Sequence, residues 1–224
     1  MGKLQVFVTD MNVGFSQDGP MASPRVDALV APMAKFLRSL PPGSRVVFVS
    51  DCHRPGDAEY RRFGKHCEEG SGEENVRPEL IAACDEAGAE YVIIYKSEHD
   101  VFAGTENLSD EVGWHPYRLP ACSQLVQEHI VESDADWIVI GCVTDICVDV
   151  NVGSLVQHGK KVTVVRNLID TYDLPLATCR KLGLPDAAAH DAATVNDFWF
   201  SHRFPVTWGA SVVQDWRELV EETA

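Results

Sequence analysis

The chain has 224 residues and a formal charge of −15. That is length enough for one α/β domain burying on the order of 70% of its unfolded surface, and the acidity argues against nucleic acid or an anionic membrane as partner, since both call for basic patches. No apolar run approaches the roughly 18 residues of a membrane span, and seven cysteines, an odd number without Cys-x-x-Cys pairs, fit reduced thiols in the cytoplasm better than a disulfide framework.

Residues 4–9 form a short apolar run that reads as a buried strand rather than a secretory leader. Ser23 caps a helix over 24–40, with Pro24 at its first position and Pro41-Pro42-Gly43 at its end. Residues 45–50 are the second strand, and a loop rich in Gly, Glu and His fills 51–75. A helix over 78–87 closes at Gly88, and the third strand spans 91–95. A helix over 120–132 precedes the fourth strand at 137–141; another over 146–158 ends at Gly159, and the fifth strand runs 161–165. A helix lies within 187–200, and 211–213 makes a sixth strand. Continuous apolar strands alternating with helices predict a mostly parallel, doubly wound sheet covered on both faces: a three-layer α/β/α fold, with one domain over 1–224.

Ligands of such sheets bind beyond the carboxyl ends of the strands. Asp10 follows the first strand, Asp51 and His53 the second, Lys96 the third and Cys147 the fourth. Reactive groups from four segments therefore converge on one edge. Cys147 falls where a helix should begin, and a helix N-terminus lowers a thiol pKa below its free value of about 8.5. A carboxylate such as Asp10 can take the thiol proton, and Lys96 stabilises both anions. Cys52, Cys67, Cys84, Cys122, Cys142 and Cys179 read as small core residues.

Asp51-x-His53, with His66 further on, supplies one carboxylate and two imidazoles, a sufficient set for a divalent transition metal with open water positions. A capped turn is the plainer explanation of Asp51-x-His53 alone. Phe15, Phe63 and Phe102 lie near these motifs and either wall a pocket for a flat ring or belong to the core. His99, His115, His129, His158, His190 and His202 read as surface or structural histidines. Nucleophile-elbow, dinucleotide and phosphate-loop motifs are absent.

Five stretches carry a resemblance. They are Val8-Thr9-Asp10-Met11 with Gly14-Phe15; Asp51-Cys52-His53; His66-Cys67-Glu68-Glu69-Gly70-Ser71-Gly72; Lys96-Ser97-Glu98-His99-Asp100-Val101-Phe102-Ala103-Gly104-Thr105; and Gly141-Cys142-Val143-Thr144-Asp145-Ile146-Cys147-Val148. Their order and content resemble the isochorismatase-like cysteine hydrolase superfamily, most closely its nicotinamidase branch, across roughly residues 5–173. The resemblance implies that fold, a triad of Asp10, Lys96 and Cys147, and an oxyanion hole from the backbone amides of Val143 and Cys147. It also implies a metal on Asp51, His53 and His66 (zinc, with manganese or iron as alternatives) and a non-proline cis peptide at Cys142–Val143. The implied reaction is hydrolysis of nicotinamide to nicotinate and ammonia through a thioester.

Two departures stand out. Phe63-Gly64-Lys65-His66 replaces the Trp-Pro that nicotinamidases carry before the His-Cys pair, and Asp57 and Glu59 occupy a metal loop that there holds another histidine. Another small amide or ureido substrate is accordingly the second reading. A catalytically silent scaffold is the third, against which the intact Asp10, Lys96 and Cys147 set argues. A small-molecule amide is the expected partner. A homo-oligomer is also expected, with Trp199, Trp208 and Trp216 available for packing or a subunit interface. The segment after Thr178 matches no stretch of the family.

Overall fold

Valine, isoleucine and phenylalanine dominate the strand runs, and such side chains pack well on a pleated surface buried from both sides. The computed structural model describes residues 3–102, 124–181 and 185–220. Its strands are β1 (Gln5–Thr9), β2 (Arg45–Asp51), β3 (Glu90–Lys96), β4 (Trp137–Cys142), β5 (Val162–Asp170) and β6 (Ser211–Val213). They form one sheet in the order β3-β2-β1-β4-β5-β6, parallel throughout.

Alternate strand residues enter different cores. Val6, Val8, Phe48 and Ile140 pack with α2 (Pro24–Arg38) and α4 (Pro78–Ala87) on one face. Phe7, Val47, Val49 and Val139 pack with α5 (Asp149–Gln157) and with Phe200 and Phe204 on the other. The result is the three-layer α/β/α arrangement that the alternating runs predict. As the cap residues indicate, Ser23 Oγ accepts the Arg25 N–H at 3.2 Å at the start of α2, and Gly88 ends α4 in the left-handed conformation. Among the described residues no helix is long and apolar enough to cross a membrane.

Some local elements differ from the sequence reading. The 51–75 loop contains a four-residue helix, α3 (Tyr60–Phe63), and another short helix, α1 (Val13–Ser16), follows β1. Neither is long enough to show an apolar period. β5 continues to Asp170, past the apolar core of its run, because its end still pairs with Gly141 and Cys142 of β4. The helix within 187–200 is α7 (Ala192–Phe198), and it runs on as a π-helical segment, Trp199–Trp208, that buries Phe200 and Phe204. A π-helical turn, Thr144–Val148, precedes α5. The helix expected over 120–132 lies partly outside the described residues; within them it closes as the π-helical turn Gln127–Val131. The remaining helix, α6 (Leu176–Lys181), follows β5.

Chain order reverses between β1, whose outer neighbours are β2 and β3, and β4, which starts the other half of the sheet. In open α/β sheets ligands bind at this switch point. Gly141 faces Thr9 across it, with φ +129°, and a Cβ there would sit inside the Thr9 carbonyl. Any side chain would force β1 and β4 apart. Gly141→Ala should therefore cost about 3 kcal/mol or more, from overpacking and strained φ together. A urea midpoint near the wild-type value would show that the strands can yield there. The next peptide, Cys142–Val143, is cis, as the resemblance implies.

Candidate active site

Each strand end at the switch delivers one reactive side chain. Asp10 follows β1 with φ +50°, a left-handed conformation that aspartate tolerates better than most residues; its N–H donates to Val49 O at 2.8 Å. Its carboxylate is fixed by the Asp51 N–H, 3.0 Å from Oδ1, and by Lys96 Nζ, 2.9 Å from Oδ2. Asp51 and Lys96 end β2 and β3 in register, and the lysine also hydrogen-bonds Asp51 Oδ1. Cys147 Sγ lies 3.8 Å from Lys96 Nζ. All four residues are buried. Buried charges persist only when paired, and Lys96 lies between two carboxylates.

Burial pushes the Asp10 carboxyl up to about 7, Asp51 adds to the rise, and Lys96 opposes it. Burial would raise Asp51 too, but Lys96 and His53 outweigh it and hold that carboxyl well below the usual range. The Cys147 thiol departs from the sequence expectation. Burial raises it well above an ordinary thiol, with Lys96 opposing, and it is the fourth residue of its turn rather than the cap. Cys147 is thus a protonated thiol beside a carboxyl, Asp10, that titrates near neutrality. Proton transfer to Asp10 can accompany attack, the arrangement general-base catalysis needs.

A second group stands beside the first. Asp51, His53, Glu59 and His66 place one ligand atom each within 4.8 Å of one another. His53 Nδ1 is held by Asp57 Oδ2 at 3.2 Å and His66 Nδ1 donates to Gly64 O at 2.8 Å, leaving Nε2 of both rings as the ligating atom. His53 Nε2, Asp51 Oδ2 and Glu59 Oε2 are buried without a hydrogen-bond partner. Native interiors rarely leave such atoms unsatisfied, and a divalent cation would satisfy all three. Burial opposes protonation of His53, but the Asp51 carboxylate, 3.8 Å from Nε2, and Asp57 on Nδ1 hold its pKa up to about 9. Burial and Asp51 push Glu59 up to about 8. The donor set of two imidazoles and two carboxylates suits zinc, manganese or iron. Of the two acidic residues in the altered loop, Glu59 joins the set from the start of α3, and Asp57 orients His53.

No protein-family model matches the chain, and no curated protein matches it at sequence level. Solved structures do. N-carbamoylsarcosine amidase from Thermoplasma acidophilum is 22% identical, with 95% of this chain and 96% of that one covered at a TM-score of 0.60. For nicotinamidase from Bacillus subtilis the values are 20%, 95%, 100% and 0.59. For an isochorismatase-like hydrolase from Alkaliphilus metalliredigens they are 17%, 98%, 98% and 0.61. The chain has the isochorismatase-like hydrolase fold.

Within this isochorismatase-like fold a cavity of about 210 Å³ opens over Cys147. Phe15 and Phe63 line it, with ring centroids 5.7 and 6.4 Å from that of His66. Val143 and Cys147, whose amides the resemblance assigns to an oxyanion hole, line it as well. Phe102 does not: its ring stacks on His158 with centroids 4.4 Å apart, so it packs against α5 instead of walling the pocket.

Two histidines read as surface or structural belong to the cavity. His99 Nδ1 is 3.9 Å from Cys147 Sγ and 3.3 Å from Glu59 Oε1, and His190 lines the β5 side. The signal for His99 was its place three residues after Lys96; His190 had none. Cys142 is buried as expected, and it also reaches the cavity, donating Sγ–H to Asp10 O at 3.2 Å. Cys122 and His115 lie outside the described residues. The sequence reading missed Asn151, one turn after Cys147. Its amide donates to Cys147 O and His99 O and accepts the Val101 N–H, tying the loop after Lys96 to the helix that follows Cys147.

Proposed function

We propose that the protein is a cysteine-dependent amidohydrolase, with nicotinamide as its leading substrate. The observation that carries this reading is the contact of Lys96 Nζ with both Asp10 and Cys147 beneath a cavity walled by aromatic rings. Asp10 takes the thiol proton as Cys147 Sγ attacks the amide carbon. The backbone N–H groups of Val143 and Cys147 hold the resulting oxyanion. Asp10 passes the proton to the departing nitrogen, ammonia leaves, and a thioester remains. Water then attacks the thioester while Asp10 takes its proton, and the acid leaves as the thiol is restored. Lys96 keeps its charge throughout and compensates whichever neighbour is anionic. Asp51, His53, Glu59 and His66 would hold the metal, which supplies a Lewis-acid contact for an acceptor nitrogen on the substrate ring.

Comparing nicotinamide with benzamide tests this. The two share ring shape and amide, and only nicotinamide carries the ring nitrogen. A site built for a polar partner is left unpaired by the analogue, so kcat/KM should favour nicotinamide by up to about 10⁴. Equal rates, or hydrolysis of neither, would move the assignment to another small amide or ureido compound.

A further inference from the structure

The cavity has a second end, on the β5 side. β5 lies three strands from β2 in the sheet order, roughly 14 Å from the strand that carries the metal set. Its wall is the chain just past β5 together with part of the segment after Thr178. Leu174 and His190 exchange backbone hydrogen bonds of 2.9 and 3.0 Å, and Asp173 Oδ1 accepts the Ala192 N–H at 2.8 Å. From the β4 side, Asp145 Oδ1 accepts the Thr171 hydroxyl at 2.5 Å.

These bonds leave acceptors over. Asp145 Oδ2 has no hydrogen-bond partner among the described residues, and Asp173 Oδ2 has only Arg25 at 3.9 Å. His190 donates Nδ1–H to Ala188 O at 3.0 Å, so in the neutral ring Nε2 is an acceptor. Met21, Ile146, Tyr172 and Leu174 supply apolar lining around them. Among the described residues no lysine or arginine lines the cavity; Lys96 is enclosed by its two carboxylates. A carboxylate brought to this end would meet two carboxylates and a single cation, Arg25, which is already engaged by Asp170 at 2.9 Å and Asp173 at 3.9 Å, while an ammonium or N–H group would meet acceptors.

We propose that Asp145, Asp173 and His190 form a specificity subsite, which accepts small amides whose far end is a protonated amine or another N–H donor and turns away amides ending in a carboxylate. The inference rests on the amide-hydrolase reading for the other end of the substrate. The test separates the two. Three amides of matched length serve as probes: 4-aminobutanamide, butanamide and succinamate. Calorimetry on full-length Cys147→Ala protein, purified with its metal, reads binding without turnover. 4-Aminobutanamide should bind at least about 30-fold more tightly than succinamate, with butanamide between, since each tenfold corresponds to one missing or repulsive charge contact of ordinary size. Adding Asp145→Asn and Asp173→Asn together should reduce that ratio to about threefold or less, and Asp173→Asn alone should reduce it part of the way should the triple variant not fold. Equal affinities, no binding by either charged probe, or a ratio unmoved by the substitutions would overturn the subsite. Failure of the wild-type protein to release ammonia from any amide would instead strike the amide-hydrolase reading and leave the measured charge preference standing.

Discussion

Replacing Cys147 with alanine should lower ammonia release by at least about 10⁴-fold, because the proposed covalent path is lost and only binding and oxyanion contacts remain. The folded protein should hardly notice. Cys147 Sγ makes long polar contacts, 3.8 Å to Lys96 and 3.9 Å to His99, and meets the Asp10 carboxyl; removing one sulfur beside a cavity costs about 1 kcal/mol. Lys96 keeps both carboxylate partners. Asp10→Asn should be nearly as severe for turnover, and the double variant little worse than either single one, since groups that act as one unit are strongly non-additive. Steady-state ammonia release and urea denaturation on the three variants check this. More than about one percent of wild-type turnover in Cys147→Ala would remove it from the nucleophile's role.

Metal content gives the second large effect. Protein purified without chelator should carry up to one transition-metal ion per chain, and His53→Ala with His66→Ala should carry none. The two Nε2 atoms are the soft donors of the group, and without them two carboxylates remain, a set that favours calcium or magnesium. Within the same measurement Asp57→Ala should weaken metal affinity by about 10–100-fold while leaving the ligands in place, because the ring of His53 loses the carboxylate that orients it. Elemental analysis after dialysis decides it. An unchanged metal content in the double histidine variant would show that the ligands lie elsewhere.

The sheet was legible because burial on both faces writes strands as unbroken apolar runs, and Val6 to Val8 or Val46 to Val49 leave little choice of period. The convergence of Asp10, Asp51, Lys96 and Cys147 was legible for a related reason: parallel strands end on the same side. What the sequence did not show is non-local. Glu59 joins the histidines because a four-residue helix turns the loop back, and so short a helix has no periodic signature. His190 comes to the cavity through a bridge to Leu174, and Asn151 through contacts with two separate segments. Phe102 was misplaced because proximity along the chain does not say which side of a loop a ring faces. The thiol expectation failed on depth, since the turn's amides were visible in the sequence and the burial around Sγ was not.

The seam between β1 and β4 also sets an order of events in time. The residues proposed to hold a metal, with Asp10 and Lys96, all precede Ser97, on three adjoining strands and the loops that follow β1 and β2. The proposed nucleophile, Cys147, follows β4, whose last residue Cys142 touches Asp10 from 132 residues away along the chain. In the proposed mechanism a chain made only as far as β3 would carry the base and the lysine without the thiol, and the flank of β1 that pairs with β4 would still lack its partner. On the proposed mechanism, pairing β4 with β1 and completing the reaction centre would be a single event, and partly made chains would lack the nucleophile.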